Sequence, residues 1–420
     1  MNKFSIFFAK HSQKLAFLCT AAACSLTFYI QPYYEVLCRW SVTKFHMEWE
    51  EKPSERIQRL TKEVYSHFNM TDYQRSQLDI FLTSVDEPLV LGSLHSPGYA
   101  FIGLPYFFGY ENSFEIPLDS LDFYRPYFPY GPFTKIGQER IDLMILPESA
   151  LRFLIAREIV RLQGVTLTGQ KIPMSARGQS LLTANSIIGS LYLSYQTIYL
   201  LNRTIKLPLR MSPASRVLVY TLIPLFSLFF QYQILLTWRK HHCLLVDQIV
   251  CSLGESFRQG GLQYYDWRLR WNRFWAKRQE EFEEIKRLAK TSDNLSETPV
   301  YIDVTQHQLE NEAPIGKSSV PTDYYLPESR NNQPSPLIIT NHLMRDSQSD
   351  AFCLRGNRFN KSGNELWAGD GDGINLGLTG ILAAGLLPQF MSSFLALFSA
   401  PATSGQRYKQ LTTLKVGKVN

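Results

Sequence analysis

The sequence lacks the closely paired cysteines that mark zinc, redox and small disulfide-bonded proteins. Six cysteines are spread along the chain, at Cys19, Cys24, Cys38, Cys243, Cys251 and Cys353. No two of them have the C-x-x-C spacing of a zinc or redox site. The C-x9-C and C-x3-C patterns of small imported disulfide proteins are absent as well. Copper transfer between thiols therefore has no support in this sequence.

A dense block of like charge is also missing. The formal net charge is +6, and the basic residues are dispersed along the chain. A tail that binds nucleic acid would need lysines and arginines in close succession. We therefore predict no nucleic-acid partner.

Motifs for phosphate binding, ester hydrolysis and metal binding are missing or incomplete. There is neither a Gly-rich phosphate loop nor a G-x-S-x-G elbow. Residues 370–373 resemble the opening of a calcium loop, but Ile374 stands where the third oxygen ligand belongs. His241 and His242 are adjacent, so on a helix their rings point in different directions and suit a shared metal poorly. We predict neither a metal nor another cofactor.

Apolar runs are the strongest positive signal. Residues 181–201 and 217–238 carry no charged side chain, and both fit the roughly 17 to 25 residues of a membrane helix. The run at residues 15–30 lies near the lower length limit, and a cleaved secretory signal is its alternative. A fourth stretch, residues 374–400, is interrupted by Pro388; spanning, re-entrant and peripheral interpretations all stay open.

Basic residues beside these runs predict the topology. Lys3, Lys10 and Lys14 precede the first run, and four more basic residues lie in the loop at 202–216. Positive charge favours the cytoplasmic or matrix side, so both clusters should share that side. The segment 31–180 and the C-terminal part then face the opposite compartment. A basic start without acidic residues also suits mitochondrial import.

These patterns predict a mainly α membrane protein, with two firm transmembrane helices and a third formed by residues 15–30. Residues 1–14 are a basic N-terminal segment. Residues 48–80 have apolar positions at helical spacing, which predicts an amphipathic helix, and short β-prone pieces such as residues 99–104 follow. Together they predict a small α/β-like water-facing domain at 31–180. Residues 239–290 should form an amphipathic helical region, with one long helix that has an aromatic edge. Residues 291–420 are predicted to be a polar, flexible tail.

Residues 146–163 form the clearest helix outside the membrane runs. Its centre, Arg157, Glu158 and Arg161, has the outline of the H-E-x-x-H helix of zinc proteases with arginine at both histidine positions. Guanidinium stays charged and has no lone pair for a metal, so we interpret the motif as an ion-pair network. Arg161 lies three residues from Glu158 and should pair with it, whereas Arg157 should find its partner elsewhere.

A stripe of small residues follows the second run. Ser186, Ser190 and Ser194 recur every four residues, so they lie on one helix face and let another helix approach closely. The simplest interpretation is packing against the run at 217–238. A helix of a partner protein is the alternative.

Several pieces in this order resemble the transmembrane protein 177 family of the mitochondrial inner membrane. They are residues 101–105, the helix at 146–163 with its Ala-Arg-Glu, the two close spans, and a segment with Gly260, Gly261 and Tyr265. The resemblance implies a multi-pass, non-catalytic assembly factor for cytochrome c oxidase. It implies two protein partners, newly made subunit 2 of the oxidase and the inner-membrane chaperone that receives it, besides membrane lipid. After about residue 290 the chain departs from the family.

Two alternatives stay open. An Arg-Glu helix, two spans and then Asp247 follow the order of elements in membrane zinc metallopeptidases, which implies a hydrolase or its inactivated derivative. A surface protein of the secretory pathway is the other alternative, and acceptor patterns at Asn69, Asn294 and Asn360 would then carry glycans.

Overall fold

The computed structural model describes residues 3–46, 49–68, 70–84, 86–95, 99–117, 128, 130–164, 175–206, 210–293 and 403–414. Helices dominate these residues, which confirms the mainly α class. The apolar stretch at 374–400, the sequence at 370–373 and the three possible glycosylation sites lie outside the described residues.

The elements follow one another along the chain, with helices on both sides of a few short strands. The helices are α1 (Lys3–Val42), α2 (Glu55–Tyr65), α3 (Asp72–Gln77), α4 (Lys135–Met144), α5 (Glu148–Gln163), α6 (Ala176–Thr204), α7 (Pro213–Ser252), α8 (Glu255–Asp293) and α9 (Ser404–Thr413). The strands are β1 (Phe45–His46), β2 (Trp49–Glu50), β3 (Leu78–Thr83), β4 (Leu89–Gly92) and β5 (Ala100–Pro105). Two short 3-10 helices, Tyr106–Gly109 and Ser113–Glu115, follow β5.

Three long helices, α1, α6 and α7, pack together, and α6 contacts both of the others. Ser175 begins α6 because its side chain accepts a hydrogen bond from the amide of Gly178. Ser212 caps α7 in the same way and Pro213 occupies its first turn, where a missing amide costs nothing. The Thr27 hydroxyl of α1 donates to Oδ1 of Asn185 on α6 over 2.8 Å.

Two helices are long and apolar enough to span a membrane, His11–Val42 within α1 and Pro213–Ser252, which is all of α7. In each of these two helices, no residue of the most apolar 18-residue stretch is buried. The run at 217–238 therefore lies in such a helix, whereas α6, with residues 181–201, does not reach the same hydropathy. This corrects the predicted ranking of the spans. The mean hydropathy of α6 is lower because its leucines are interspersed with polar residues, namely serine, threonine, tyrosine, asparagine and glutamine.

The first helix is also longer than predicted, since α1 continues without a break beyond residue 30 as far as Val42. The expected water-facing segment at 31–180 therefore starts inside a helix. Its end is helical as well, because α6 begins at Ala176.

A small mixed sheet accounts for the α/β-like character of the segment that follows α1. The strand order is β3-β5-β4, with β3 parallel and β4 antiparallel to the central strand. Every residue of β5 is buried. The rings of Phe81 on β3 and Phe101 on β5 pack edge to face. Val42, at the end of α1, belongs to the same hydrophobic core. The sheet thus ties the end of the first long helix to the folded domain.

The C-terminal part agrees with the prediction in one respect and differs in another. The region expected to be helical at 239–290 is helical, in the end of α7 up to Ser252 and in α8, Glu255–Asp293. The tail at 291–420 contains an ordered helix, α9, with a capping box between Thr403 and Gln406. Arg407 and Leu411 of α9 are buried, so tertiary packing holds a segment whose composition is polar.

The described residues form two compact units. One contains α1 to α3, the sheet, α5 to α7, the start of α8 up to Tyr265, and α9. The other contains α4 and the rest of α8 from Asp266 onward. In this second unit the indole of Trp267 donates to the carbonyl of Leu143 over 2.6 Å and its ring stacks on Trp271. This is the aromatic edge that the sequence predicts for the long helix.

Candidate functional site

The candidate site is a buried ion network in the unit that contains the three long helices. Its centre lies on α5, which starts after Pro147 and ends at Gly164, where a positive φ of 82° suits glycine. Arg157 and Glu158 are fully buried there, with 0% of their surface exposed. Apolar side chains on the same helix are buried around them, so the helix has no solvent-facing polar stripe at its centre. Charged groups in such a place need partners.

Glu158 is paired through both carboxylate oxygens. Oε2 accepts a hydrogen bond from Nη1 of Arg161 over 2.8 Å, the pair expected from their spacing. Oε1 lies 3.1 Å from Nη1 of Arg157. Arg157 was expected to find its partner elsewhere, and it does so at Asp247, but it contacts Glu158 as well. Its guanidinium has five N–H groups and reaches both carboxylates.

The more distant partner of Arg157 is Asp247 on α7. Nε of Arg157 lies 3.4 Å from Oδ1 of Asp247, and Asp247 has no exposed surface. The hydroxyl of Tyr265 on α8 donates to Oδ2 of Asp247 over 2.8 Å. Tyr265, selected from the sequence only through its place beside the glycine pair, is thus part of the network.

Arg407 completes the network from α9. Its Nε donates to Oδ2 of Asp247 over 2.7 Å and its Nη2 donates to Oδ1 over 2.9 Å. The guanidinium also lies over the ring of Tyr265, 5.0 Å from its centre. No local pattern in the sequence marks Arg407, because it is one arginine in a polar tail. The capping-box sequence that starts at Thr403 was the available signal for a helix there.

The pKa values of two groups in the network, Tyr265 and Arg157, are shifted away from neutral pH. Burial raises the pKa of Tyr265 well above its ordinary value of 10, against the opposing effect of Arg157 and Arg407. Burial and the charge of Arg407 act to lower the pKa of Arg157, but Tyr265, Glu158 and Asp247 together raise it above its ordinary value. Tyr265 therefore stays a neutral donor and Arg157 stays a cation. Neither changes charge in the physiological pH range.

The paired glycines of α8 allow close approach of neighbouring helices. A Cβ added at Gly260 would lie 2.2 Å from the carbonyl oxygen of Ser149 on α5. A Cβ added at Gly261 would lie 2.7 Å from Leu411 of α9 and 2.8 Å from the ring of Phe153. Glycine inside a helix costs about 1 kcal/mol relative to alanine. Here its lack of a side chain lets α5 and α9 pack against α8.

The serine stripe of α6 lies partly against α7. The hydroxyl oxygens of Ser190 and Ser227 are 2.8 Å apart, which places Ser190 in the interface between the two helices as the intramolecular interpretation expects. Ser194 is buried and donates to the carbonyl of Ser190 over 2.8 Å. Ser186 donates to the carbonyl of Thr183 on its own helix. A contact between Ser186 and another protein stays a prediction.

A second buried ion pair, which no sequence motif marks, joins the C-terminal part of α1 to the first turn of α6. Arg177 donates through Nε and Nη2 to Oε2 of Glu35 over 3.0 and 2.7 Å, and both residues are buried. Nearby, the amide of Gln31 donates to the hydroxyl of Ser180 over 3.0 Å. Glu35 is the first acidic residue of the chain and follows the first apolar run directly. An acidic residue so close to an apolar run was the available sequence signal for a buried ion pair at the end of this helix.

The donor atoms of the main network suit ion pairing and not metal binding. Three of its five charged side chains are guanidinium groups, which cannot donate a lone pair. Among the described residues, no three histidine, cysteine, aspartate or glutamate side chains come together as ligands would. His242 lies instead beside the amide of Gln179 on α6, with 2.8 Å between the amide nitrogen and Nε2.

No family model, curated protein or solved structure matches the chain. The geometry of the network is therefore the basis for any functional assignment. A general base must reach a water molecule or a substrate, yet Glu158 is enclosed by Arg157 and Arg161. The arrangement can fix α5, α7, α8 and α9 relative to one another, and it offers no exposed reactive group.

Proposed function

We propose that this chain is a non-catalytic membrane scaffold that stabilises other proteins during the assembly of a membrane complex. The observation that carries this proposal is the enclosed state of Glu158. This residue occupies the position of a general base in the motif outline, and both its oxygens face guanidinium groups in a buried site. A side chain held in this way supports structure, because removing one partner of a buried ion pair costs about 3 to 5 kcal/mol.

Anchoring by three membrane helices is part of the proposal. Large apolar side chains are exposed along all three long helices, including Phe28 on α1, Leu193 on α6 and Phe226 on α7. Exposed apolar surface of this extent is typical of contact with lipid or another protein. Although α6 is less apolar than the others, residues 181–201 carry no charge and their polar groups find partners on α1 and α7. We propose that α6 crosses the membrane between these two helices.

The proposed site of action is the mitochondrial inner membrane, and the proposed partners are newly made cytochrome c oxidase subunit 2 and its inner-membrane chaperone. Support comes from the resemblance to the transmembrane protein 177 family. The basic start without acidic residues also suits mitochondrial import. The exposed apolar faces of α1 and α7 offer a surface for the helices of a newly inserted membrane protein.

The experiment combines co-purification with a lifetime measurement. The tagged full-length chain is isolated from mitochondria in mild detergent, and newly made subunit 2 is followed by pulse labelling with and without the chain. We expect enrichment of subunit 2 and its chaperone, and a shorter lifetime of new subunit 2 when the chain is absent. An unrelated inner-membrane protein of similar abundance is the control. Equal enrichment with that control, together with an unchanged lifetime, would refute the proposed function.

An inactivated metallopeptidase scaffold is a second candidate, favoured by one contact. The helix with Arg157 and Glu158 meets Asp247, which follows the run at 217–238 on the same helix, α7, with 3.4 Å between Arg157 Nε and Asp247 Oδ1. Membrane zinc peptidases have these elements in the same order. Zinc analysis of the purified chain distinguishes both scaffold proposals from a working enzyme, because stoichiometric tightly bound zinc would favour the enzyme and count against both.

A further inference from the structure

The C-terminal helix α9 docks into a groove formed by α5, α7 and α8. Residues 294–402 separate it from the end of α8 along the chain, so chain connectivity does not force this contact. Within α9, the buried side chains are Ser404, Arg407 and Leu411, whereas Lys409 faces solvent. Arg407 and Leu411 are one helical turn apart and therefore lie on one face.

Three kinds of contact hold this face in the groove. Arg407 forms two hydrogen bonds with Asp247. Leu411 packs into the space left by Gly261, where a Cβ would come within 2.7 Å of it. Arg258 donates to the carbonyl of Leu411 over 3.3 Å, and this carbonyl belongs to the last turn of α9, where no amide of the helix can satisfy it. The groove thus recognises a charge, an apolar side chain and a helix end.

The helix also carries its own cap at its other end. Thr403 and Gln406 form a capping box, in which each side chain bonds to the backbone of the other. The amides of Thr403 and Gln406 are therefore satisfied within α9 itself. Such a helix has the features of a ligand segment in helix-in-groove recognition, where a few anchors on one face carry the affinity.

The charges of the groove balance without Arg407. Arg157 and Arg161 then oppose Glu158 and Asp247, two cations against two anions. Asp247 keeps the hydroxyl of Tyr265 and the guanidinium of Arg157 as partners. Withdrawal of α9 therefore strands no carboxylate, in contrast to the loss of a partner from a buried isolated pair.

We propose that α9 is a detachable latch, a helical self-ligand that docks through Arg407, and that the same groove binds this helix when it is supplied as a separate peptide. The latch is a property of the fold and does not depend on the proposed assembly role. In its released state the groove presents Asp247 and the notch at Gly261. It then fits an amphipathic helix with arginine and leucine four residues apart.

The test uses the full-length chain in detergent and a fluorescent synthetic peptide of residues 401–415. We expect the peptide to bind the Arg407→Ala chain at least about tenfold more tightly than the wild-type chain, whose own α9 competes from within the molecule. Arg407→Ala in the peptide should weaken binding about tenfold or more, because it removes two charge-assisted hydrogen bonds. Lys409→Ala in the peptide is the matched control, since it removes the same charge from the exposed face and should change little.

A measurement on the wild-type chain covers the case in which Arg407→Ala fails to fold. Hydrogen exchange should show α9 amides opening at least tenfold faster than the buried amides of α5, because a latch opens separately from the core. Equal protection of α9 and α5 would overturn the proposal. So would equal peptide binding by both chains, no binding by a folded Arg407→Ala chain, or equal weakening by the two peptide substitutions.

Discussion

Arg407 and Asp247 are 160 positions apart in the sequence, and their side chains meet through two hydrogen bonds of 2.7 and 2.9 Å. Both are buried, so the pair is screened little by solvent. Asp247 also contacts Arg157 and Tyr265, from α5 and α8. One carboxylate thus connects four helices of the unit, and its removal should affect all four.

Asp247→Asn should lower the free energy of unfolding by about 3 to 5 kcal/mol. The substitution keeps the shape of the side chain but leaves Arg157, Arg161 and Arg407 opposite a single carboxylate, Glu158. Thermal or denaturant unfolding of the chain in detergent measures the effect. Asp266→Asn is the control, because its pair with Arg270 is half exposed and should contribute about 0 to 1 kcal/mol. Equal shifts for both variants would contradict the buried network.

Glu158→Gln should lower the steady-state level of the protein, and any loss of function should follow that level. The neutral amide leaves Arg157 and Arg161 without their shared anion, at a cost of about 3 to 5 kcal/mol. The matched control is Glu148→Gln, the same change at a partly exposed position of α5 that pairs with Arg59. Quantitative immunoblotting and a peptidase assay read the result. A variant that accumulates and binds its partner normally but loses a measurable peptidase activity would show that Glu158 is a general base.

Gly260→Ala and Gly189→Ala should change stability in opposite directions, although both glycines are helical. A Cβ at Gly260 meets the backbone of Ser149 at 2.2 Å, so α8 and α5 must move apart; we expect a loss of about 1 to 3 kcal/mol. A Cβ at Gly189 meets nothing within 4 Å, and alanine should stabilise α6 by up to about 1 kcal/mol. Unfolding of both variants in detergent tests this, and a stable Gly260→Ala chain would refute the close approach.

Protease added to mitoplasts should cut the chain between residues 43 and 175 and leave the loop at 202–216 intact. In the proposed mitochondrial location, the four basic residues of this loop predict that it lies in the matrix and that the domain after α1 faces the intermembrane space. Intact mitochondria should protect both segments, and detergent should expose both. Full protection of residues 43–175 in mitoplasts would overturn the topology.

Local patterns were sufficient for much of the fold. The helix expected at 146–163 appears as α5 at Glu148–Gln163, and the β-prone piece at 99–104 appears as β5 at Ala100–Pro105. Both depend on the periodicity of a few adjacent residues, which the sequence shows directly. The single amphipathic helix expected at 48–80 is instead β2, α2, α3 and the start of β3. Strand β3 forms there because pairing with β5 provides backbone partners that local spacing does not reveal.

The sequence by itself determined the apolar runs, the Arg-Glu helix and the pair between Glu158 and Arg161, because each depends on residues within a few helical turns. Only the tertiary structure decided the partners of Arg157, the meaning of the glycine pair and the role of Arg407. These depend on contacts between elements far apart in the chain. A buried guanidinium pairs with the carboxylate that helix packing brings within reach. The spacing of residues in the sequence does not specify which carboxylate this is.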